Sequence, residues 1–210
     1  MCSRALPQRT PVKMSERRSI DVYCHFRMTF SKRVLAAAAL IAFGVLGRLV
    51  PHLPDATPLT AITLMGSRYL GRTWSIVIPV AAMLASDLFI GFYDWRVLAT
   101  VYLSFALIAA MSWFGAKRGL PTLLGTAATA SLLFFLTTNA AVWAFSPWYA
   151  KSFGGLLEAY AMGLPFLGSM LLSDLLYTAS LYGICEAIKI AVINRRLSRD
   201  SIQPAWAVAE

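Results

Sequence analysis

The sequence predicts an all-α polytopic membrane protein with six transmembrane helices in a single membrane domain. Of the 210 residues, 58% are hydrophobic and only 14% are charged, whereas a typical soluble domain has about 25% charged residues. Residues 97–116 and 119–150 contain no charged residue, and about 20 residues of helix suffice to cross the hydrocarbon core. This composition excludes a water-soluble enzyme and a disordered chain.

Apolar segments predict the positions of the helices. In order along the chain they are 34–50, 56–71, 73–93, 97–116, 121–146 and 163–190. The second segment is the weakest, because Pro54 and Pro58 stand at its entrance and Gly66 interrupts it. Pro147 ends the fifth segment, and a loop over 151–162 precedes the sixth.

The basic start of the chain has two interpretations. Residues 1–27 are polar and basic and contain no apolar run, so they do not form a signal peptide. Met28 opens a sequence typical of a membrane protein, which makes residues 1–27 an artefactual extension in one interpretation. In the other, they belong to a cytoplasmic N-terminal tail, 1–33. The six-helix membrane domain follows over 34–190, and a cytoplasmic C-terminal tail over 191–210.

The positions of the basic residues predict the orientation. With a cytoplasmic N-terminus, all of the 19 Lys and Arg residues fall on the cytoplasmic side except Arg48, Arg96 and Lys151. Cytoplasmic segments of membrane proteins carry such an excess of positive charge. We therefore expect a protein of the cell (inner) membrane with both termini in the cytoplasm. The net charge of +9 then reflects orientation and contact with the anionic lipid bilayer, not binding of nucleic acid.

Two acidic residues fall within the predicted membrane segments. Asp87 lies in Met-Leu-Ala-Ser-Asp-Leu on the third segment, and Asp174 lies in Met-Leu-Leu-Ser-Asp-Leu on the sixth. These segments run in opposite directions, as they would in a three-plus-three inverted repeat. A carboxylate in hydrocarbon costs about 3 kcal/mol, so both residues are expected to face protein or a watery cavity.

Helix geometry brings three polar side chains to similar depths. Asp87 and Asn139 fall in the outer half of the membrane and Asp174 near its midplane. One interpretation is a ligand pocket open to the outside and bounded by the third, fifth and sixth helices, with Trp143 as a flat wall. The other is that these residues only hold helices together. Two carboxylates in one cavity repel unless a metal, an ammonium group or Arg48 lies between them, which favours a cationic or metal-bearing ligand.

The loop over 48–58 is predicted to cover this pocket. Its prolines remove backbone donors and hold the chain extended at the membrane surface. Arg48 and His52 could bind an anionic group of a ligand there. The simpler interpretation for Arg48 is that its side chain extends to the lipid headgroups.

The sequence lacks two motifs by which known enzymes bind nucleotides or carry a catalytic serine. It has neither a Gly-x-x-x-x-Gly-Lys-Ser/Thr phosphate-binding loop nor a Gly-x-Ser-x-Gly nucleophile element. Cys2, Cys24 and Cys185 have no zinc-ligand spacing. We therefore expect a binding protein without a cofactor rather than an enzyme. Acid–base catalysis by the two membrane-embedded Asp residues is a third option.

Four stretches of the sequence resemble a known bacterial family. They are Arg48–Pro58, Met83–Tyr93, Phe134–Trp143, and Gly163–Phe166 with Ser173–Thr178, in this order within residues 34–185. That family consists of small, uncharacterised multi-pass membrane proteins. It is in turn similar to the S components of energy-coupling factor transporters, which are six-helix substrate-binding subunits.

The resemblance implies uptake of a micronutrient, a vitamin or a metal, from outside the cell. A separate coupling membrane subunit and ATPases would supply the energy. Ala38 and Ala42 form a small-residue step on the first helix, where another helix of this chain or of a partner can approach closely. In S components such a face docks the coupling subunit. The alternative function is that of a structural or assembly membrane protein without a small-molecule ligand.

Overall fold

The computed structural model describes residues 29–50, 56–115 and 118–202, and all regular structure in these ranges is helical. The helices are α1 (Phe30–Leu49), α2 (Leu59–Met65), α3 (Arg72–Ile90), α4 (Trp95–Gly115), α5 (Leu120–Phe145) and α6 (Phe153–Ile202). Five of them, all except α2, are long and apolar enough to cross a membrane. The predicted all-helical class is therefore confirmed, and the helices have the lengths and hydropathy of a multi-pass membrane protein.

The second predicted segment forms a helix too short to span the bilayer alone. α2 has seven residues and continues as a five-residue π-helical stretch, Gly66–Leu70. Together they extend about 18 Å, against a hydrocarbon core of about 30 Å. Gly71, with φ +111°, then turns the chain into α3 in a conformation that favours glycine. All residues of α2 are buried, so this helix is a core element.

α1 and α3 end on the same side of the bundle, which we call the Arg48 end. Arg48, in the last turn of α1, donates a hydrogen bond of 2.7 Å to the hydroxyl of Ser86 near the end of α3. At the opposite end, Arg68 donates to the backbone oxygen of Arg118, between α4 and α5, at 2.7 Å. We call this the Arg118 end. The chain between α1 and α3 thus returns across the bundle, with α2 in the second part of that path.

The last helix is longer than the predicted segment 163–190. It begins at Phe153, so most of the expected loop over 151–162 is helical, and Pro165 lies within the helix. It also continues beyond residue 190, into the expected tail. Residues 31–183 form one compact unit, to which both cavities described below belong. The part of α6 from Ile184 onward belongs to a second unit.

Small residues set the helix packing within the 31–183 unit. Gly44 of α1 is buried, and a Cβ atom there would lie 2.6 Å from Cδ1 of Ile62 on α2 and 3.1 Å from Cβ of Ala82 on α3. Ala38 and Ala42 lie on the other side of α1 and are exposed. The small-residue step predicted on α1 therefore does not pack inside this unit, and a different small residue lets α1 approach its neighbours.

Candidate functional site

Three helices meet around an ion pair at the Arg48 end. Nη1 of Arg48 lies 2.8 Å from Oδ1 of Asp87, whose side chain is only 2% exposed. The second carboxylate oxygen, Oδ2, accepts a hydrogen bond of 2.7 Å from the hydroxyl of Tyr102 on α4. α1, α3 and α4 thus meet at one carboxylate, and both of its oxygens have a partner within the protein.

A cavity of about 590 Å³ lies between α4, α5 and α6 at the Arg48 end. Aromatic rings make up much of its wall: Tyr93, Phe134, Phe135, Phe145, Trp148 and Phe166. Among its polar residues are Arg48, Asp94, Thr138 and Asn139. Small-molecule sites are typically concave, mostly apolar cavities of about 300–1,000 Å³ with a few polar groups. We call this space the aromatic cavity.

Asn139 lines the aromatic cavity. Its amide nitrogen donates to the backbone oxygen of Phe135 one turn earlier, at 2.8 Å. Its amide oxygen faces Gly163 of α6, where a Cβ atom would lie only 2.5 Å away. The ring of Tyr160 packs on that of Phe135 at 5.7 Å. Gly163 therefore lets α6 come close to α5 beside the cavity.

Trp143 does not line the aromatic cavity. Its indole N–H donates to the backbone oxygen of Ala150 at 2.9 Å, and the Lys151 ammonium group donates to the backbone oxygens of Trp143 and, at 2.6 Å, Ser146. Trp143 is therefore part of the connection between α5 and α6. The indole in the cavity wall belongs to Trp148, which follows the helix and which periodicity along α5 could not assign.

Asp87, on the third predicted helix, lines neither of the two cavities described here, because Arg48 and Tyr102 hold its carboxylate between α1, α3 and α4. Val97 and Val101 of α4 stand in the wall of the aromatic cavity. The walls of this cavity therefore come from α4, α5 and α6 rather than from α3.

A second cavity, of about 90 Å³, adjoins the first, and we call it the inner cavity. Both cavities are lined by Arg48, Val101, Phe134 and Met170. The other side of the inner cavity carries oxygen-bearing side chains, namely Thr57, Thr60 and Asp174. The two cavities thus meet at a shared set of four residues.

Asp174 is the buried acid of the inner cavity, with 2% of the residue exposed. Its Oδ2 accepts a hydrogen bond of 2.7 Å from the hydroxyl of Ser131 on α5. The hydroxyl of Thr60 on α2 also hydrogen-bonds this carboxyl group. Among the residues that the structure describes, no basic side chain forms a salt bridge with Asp174. Arg48 lines the same cavity but is paired with Asp87.

The remaining site predictions have different outcomes. His52 lies outside the described residues, as does the 51–55 part of the predicted covering loop. Arg48 lines both cavities and is held by protein groups rather than extended to lipid headgroups. In the described ranges, no three His, Cys, Asp or Glu side chains come together as a candidate metal site.

Residues 28–197 match the model of a family described as a family of unknown function, DUF6580. The match covers all six helices except the last residues of α6. No curated protein and no solved structure matches the chain.

Proposed function

The chain belongs to the DUF6580 family, and we propose that it is an integral membrane binding protein for a small micronutrient, similar to an S component and without enzymatic activity. The observation that carries this proposal is the aromatic cavity between α4, α5 and α6. Its volume of about 590 Å³ is large enough for a vitamin-sized molecule.

The cavity wall favours a ring-bearing vitamin over a metal ion as the ligand. Aromatic side chains stack on flat ring systems, and a few polar groups then fix the orientation of the ligand. Asn139 and Thr138 supply such groups on α5, and Asp94 supplies one beside α4. Arg48 forms an ion pair with Asp87, so the charge of this acid does not require a cationic ligand.

The proposed orientation has both termini in the cytoplasm and the aromatic cavity open to the outside. Basic residues at the Arg118 end, Arg68, Arg72 and Arg118, favour the cytoplasm for that end. Termini on one side require an even number of crossings. The crossing that contains α2 is then the sixth, in agreement with α1 and α3 both ending at the Arg48 end.

The exposed step of Ala38 and Ala42 is the proposed docking face for a coupling membrane subunit that works with ATPases. Two helices pack closely where small residues meet, and in a bilayer this contact is a main source of helix association. The same face would contact lipid in the absence of a partner.

A structural or assembly role is the second candidate. It is favoured by the hydrogen bonds between helices, among them Ser104 with Thr137 at 2.7 Å and Ser131 with Asp174 at 2.7 Å. Such bonds hold a bundle together whether or not a ligand binds. In this case the aromatic cavity would have no high-affinity ligand.

Thermal-shift screening of the full chain in detergent, against a panel of water-soluble vitamins and divalent metals, distinguishes the two candidates. We expect a ring-bearing vitamin to raise the melting temperature saturably. Thr138→Phe, which fills the cavity from α5, should abolish the shift. Thr129→Phe is the matched control, because Thr129 is exposed on the same helix and makes the same kind of bond to the backbone four residues earlier. Absence of any stabilising compound, with both variants behaving like the wild type, would support the structural role.

A further inference from the structure

The two membrane-embedded acids lie in similar hexapeptides but in unequal surroundings. Asp87 has a guanidinium group at 2.8 Å. Asp174 has only hydroxyl partners among the described residues, from Ser131 and Thr60. Among the described residues, one guanidinium and two ionised carboxylates would leave a single negative charge in the interior of the bundle. A buried charge of this kind is expensive unless a cation compensates it.

The oxygen atoms around Asp174 come from three different helices. Ser131 belongs to α5, Thr60 to α2 and Asp174 itself to α6. A further hydroxyl follows one turn after Asp174 on the same face of α6. It belongs to Thr178, which is fully buried and whose Oγ1 has no hydrogen-bond partner in the part of the chain that the structure describes. A buried hydroxyl without a partner is rare, and a bound water or ion is one way to satisfy it.

The chemistry of this set is that of a site for a small hard cation. Carboxylate and hydroxyl oxygens are hard ligands, and a hydroxyl can turn its hydrogen away and offer a lone pair. A single net negative charge matches a monovalent ion better than a divalent one. The inner cavity of about 90 Å³ lies beside the carboxylate. It has room for one ion with one or two waters, since a water molecule takes about 30 Å³.

We propose that Asp174 and Thr60, which line the inner cavity, bind one Na⁺ ion there together with the neighbouring hydroxyls of Ser131 and Thr178. The ion reaches the site from the aromatic cavity, past the four residues that line both spaces. Arg48 does not repel it strongly, because Asp87 neutralises the guanidinium charge. The site does not depend on the identity of any organic ligand, so it can be tested on the protein alone.

The test is the melting temperature of the full chain in detergent at constant ionic strength. NaCl is titrated against N-methyl-D-glucamine chloride, with KCl as a second comparison. Binding to the folded state should raise the melting temperature saturably, by about 3–5 °C once Na⁺ exceeds its dissociation constant tenfold. KCl should give a smaller shift at the same concentration. Equilibrium binding of ²²Na⁺ should saturate at one ion per chain.

Two variants and a matched control make the result specific. Asp174→Asn should abolish both the shift and the ²²Na⁺ binding. Ser131→Ala should raise the half-saturating Na⁺ concentration about tenfold, and it serves alone if Asp174→Asn does not fold. Ser104→Ala removes a comparable hydroxyl between α4 and α5, away from both cavities, and should keep the wild-type response. Equal melting temperatures in all three salts would overturn the proposal, as would stabilisation by acid pH alone or a Na⁺ response that survives in both variants.

Discussion

Arg48 and Asp87 are separated by 39 positions in the sequence, yet Nη1 of Arg48 lies 2.8 Å from Oδ1 of Asp87. The contact joins the last turn of α1 to the last turn of α3. Each of the two residues lies in the last turn of its helix. The ion pair therefore holds the ends of α1 and α3 together on one side of the bundle. It is therefore central both to stability and to the shape of the adjoining cavities.

Removing the cation from this pair should strongly destabilise the fold. Arg48→Met leaves the carboxylate of Asp87 buried without its counter-ion, which typically costs about 3–5 kcal/mol. Unfolding by SDS, followed by circular dichroism, measures the loss. The double variant Arg48→Met/Asp87→Asn should recover part of it, since no net charge is then left unpaired. Arg96→Met, at an exposed arginine, is the control and should change stability by less than about 1 kcal/mol. Equal effects of Arg48→Met and Arg96→Met would contradict this account.

The second oxygen of Asp87 gives a finer test through Tyr102. Tyr102→Phe removes only the hydroxyl that donates to Oδ2 at 2.7 Å. A hydrogen bond to a charged group is worth about 1.5–3 kcal/mol, so we expect a loss of that size in the same unfolding measurement. Tyr160→Phe removes a hydroxyl that donates to the backbone oxygen of Leu136 in an exposed position. That loss should be below about 1.5 kcal/mol. If Tyr102→Phe and Tyr160→Phe lost the same free energy of unfolding, the hydrogen bond from Tyr102 to the Asp87 carboxylate would be no stronger than an ordinary exposed one.

Glycines on α6 should respond oppositely to replacement by alanine. At Gly163 a Cβ atom would lie 2.5 Å from the amide oxygen of Asn139 and 2.9 Å from the ring of Phe135. Gly163→Ala therefore forces α6 away from α5 and should cost about 1–3 kcal/mol. At Gly168 nothing lies within 4 Å of the added atom. Gly168→Ala should therefore stabilise the helix by about 0.5–1 kcal/mol. Melting temperatures of the two variants give the comparison, and a stabilising Gly163→Ala would show that the helices are not in close contact there.

The proposed orientation is tested with reporter fusions. A fluorescent protein that matures only in the cytoplasm should be bright when fused after Ala207. The same reporter fused after Tyr149, in the connection between α5 and α6, should be dark, and alkaline phosphatase at that point should be active. The opposite pattern would invert the orientation. Bright fluorescence at both positions would place Tyr149 and Ala207 on the same side of the membrane and would contradict a single crossing by α6.

The sequence was most informative where the signal is local. The charge-free stretch 97–116 corresponds to α4, Trp95–Gly115, and the segment 121–146 corresponds to α5, Leu120–Phe145. Hydropathy over about 20 residues is enough for such helices. It could not give the start of α6 at Phe153, because Lys151, two glycines and Glu158 before Gly163 resemble a loop, although the chain is helical from Phe153 onward. The Gly and Pro residues around the second segment indicated a weak helix, and α2 is indeed short.

The candidate site depended on contacts that no local pattern contains. Depth along the helices groups Asn139 with Asp87 and Asp174, and it gives the two acids similar roles. Depth does not define the direction in which a side chain points, so the pairing of Asp87 with Arg48 and Tyr102 was missed in that grouping. The repulsion expected between the two carboxylates nevertheless predicts that a cation such as Arg48 could lie between them. The choice between Trp143 and Trp148 depended on the path of the connection after α5, which periodicity does not describe.

The short, wholly buried α2 has a consequence for the synthesis of the protein. It packs against α1, which precedes it, through Ile62, and against α3, α4 and α5, which follow it along the chain. A stretch of this length is too short to partition into a bilayer by itself. During translation, α2 therefore emerges before part of the surface that will hold it, and its final position depends on helices that enter the membrane later. A nascent chain ending after α3 would leave α2 without its contacts to α4 and α5.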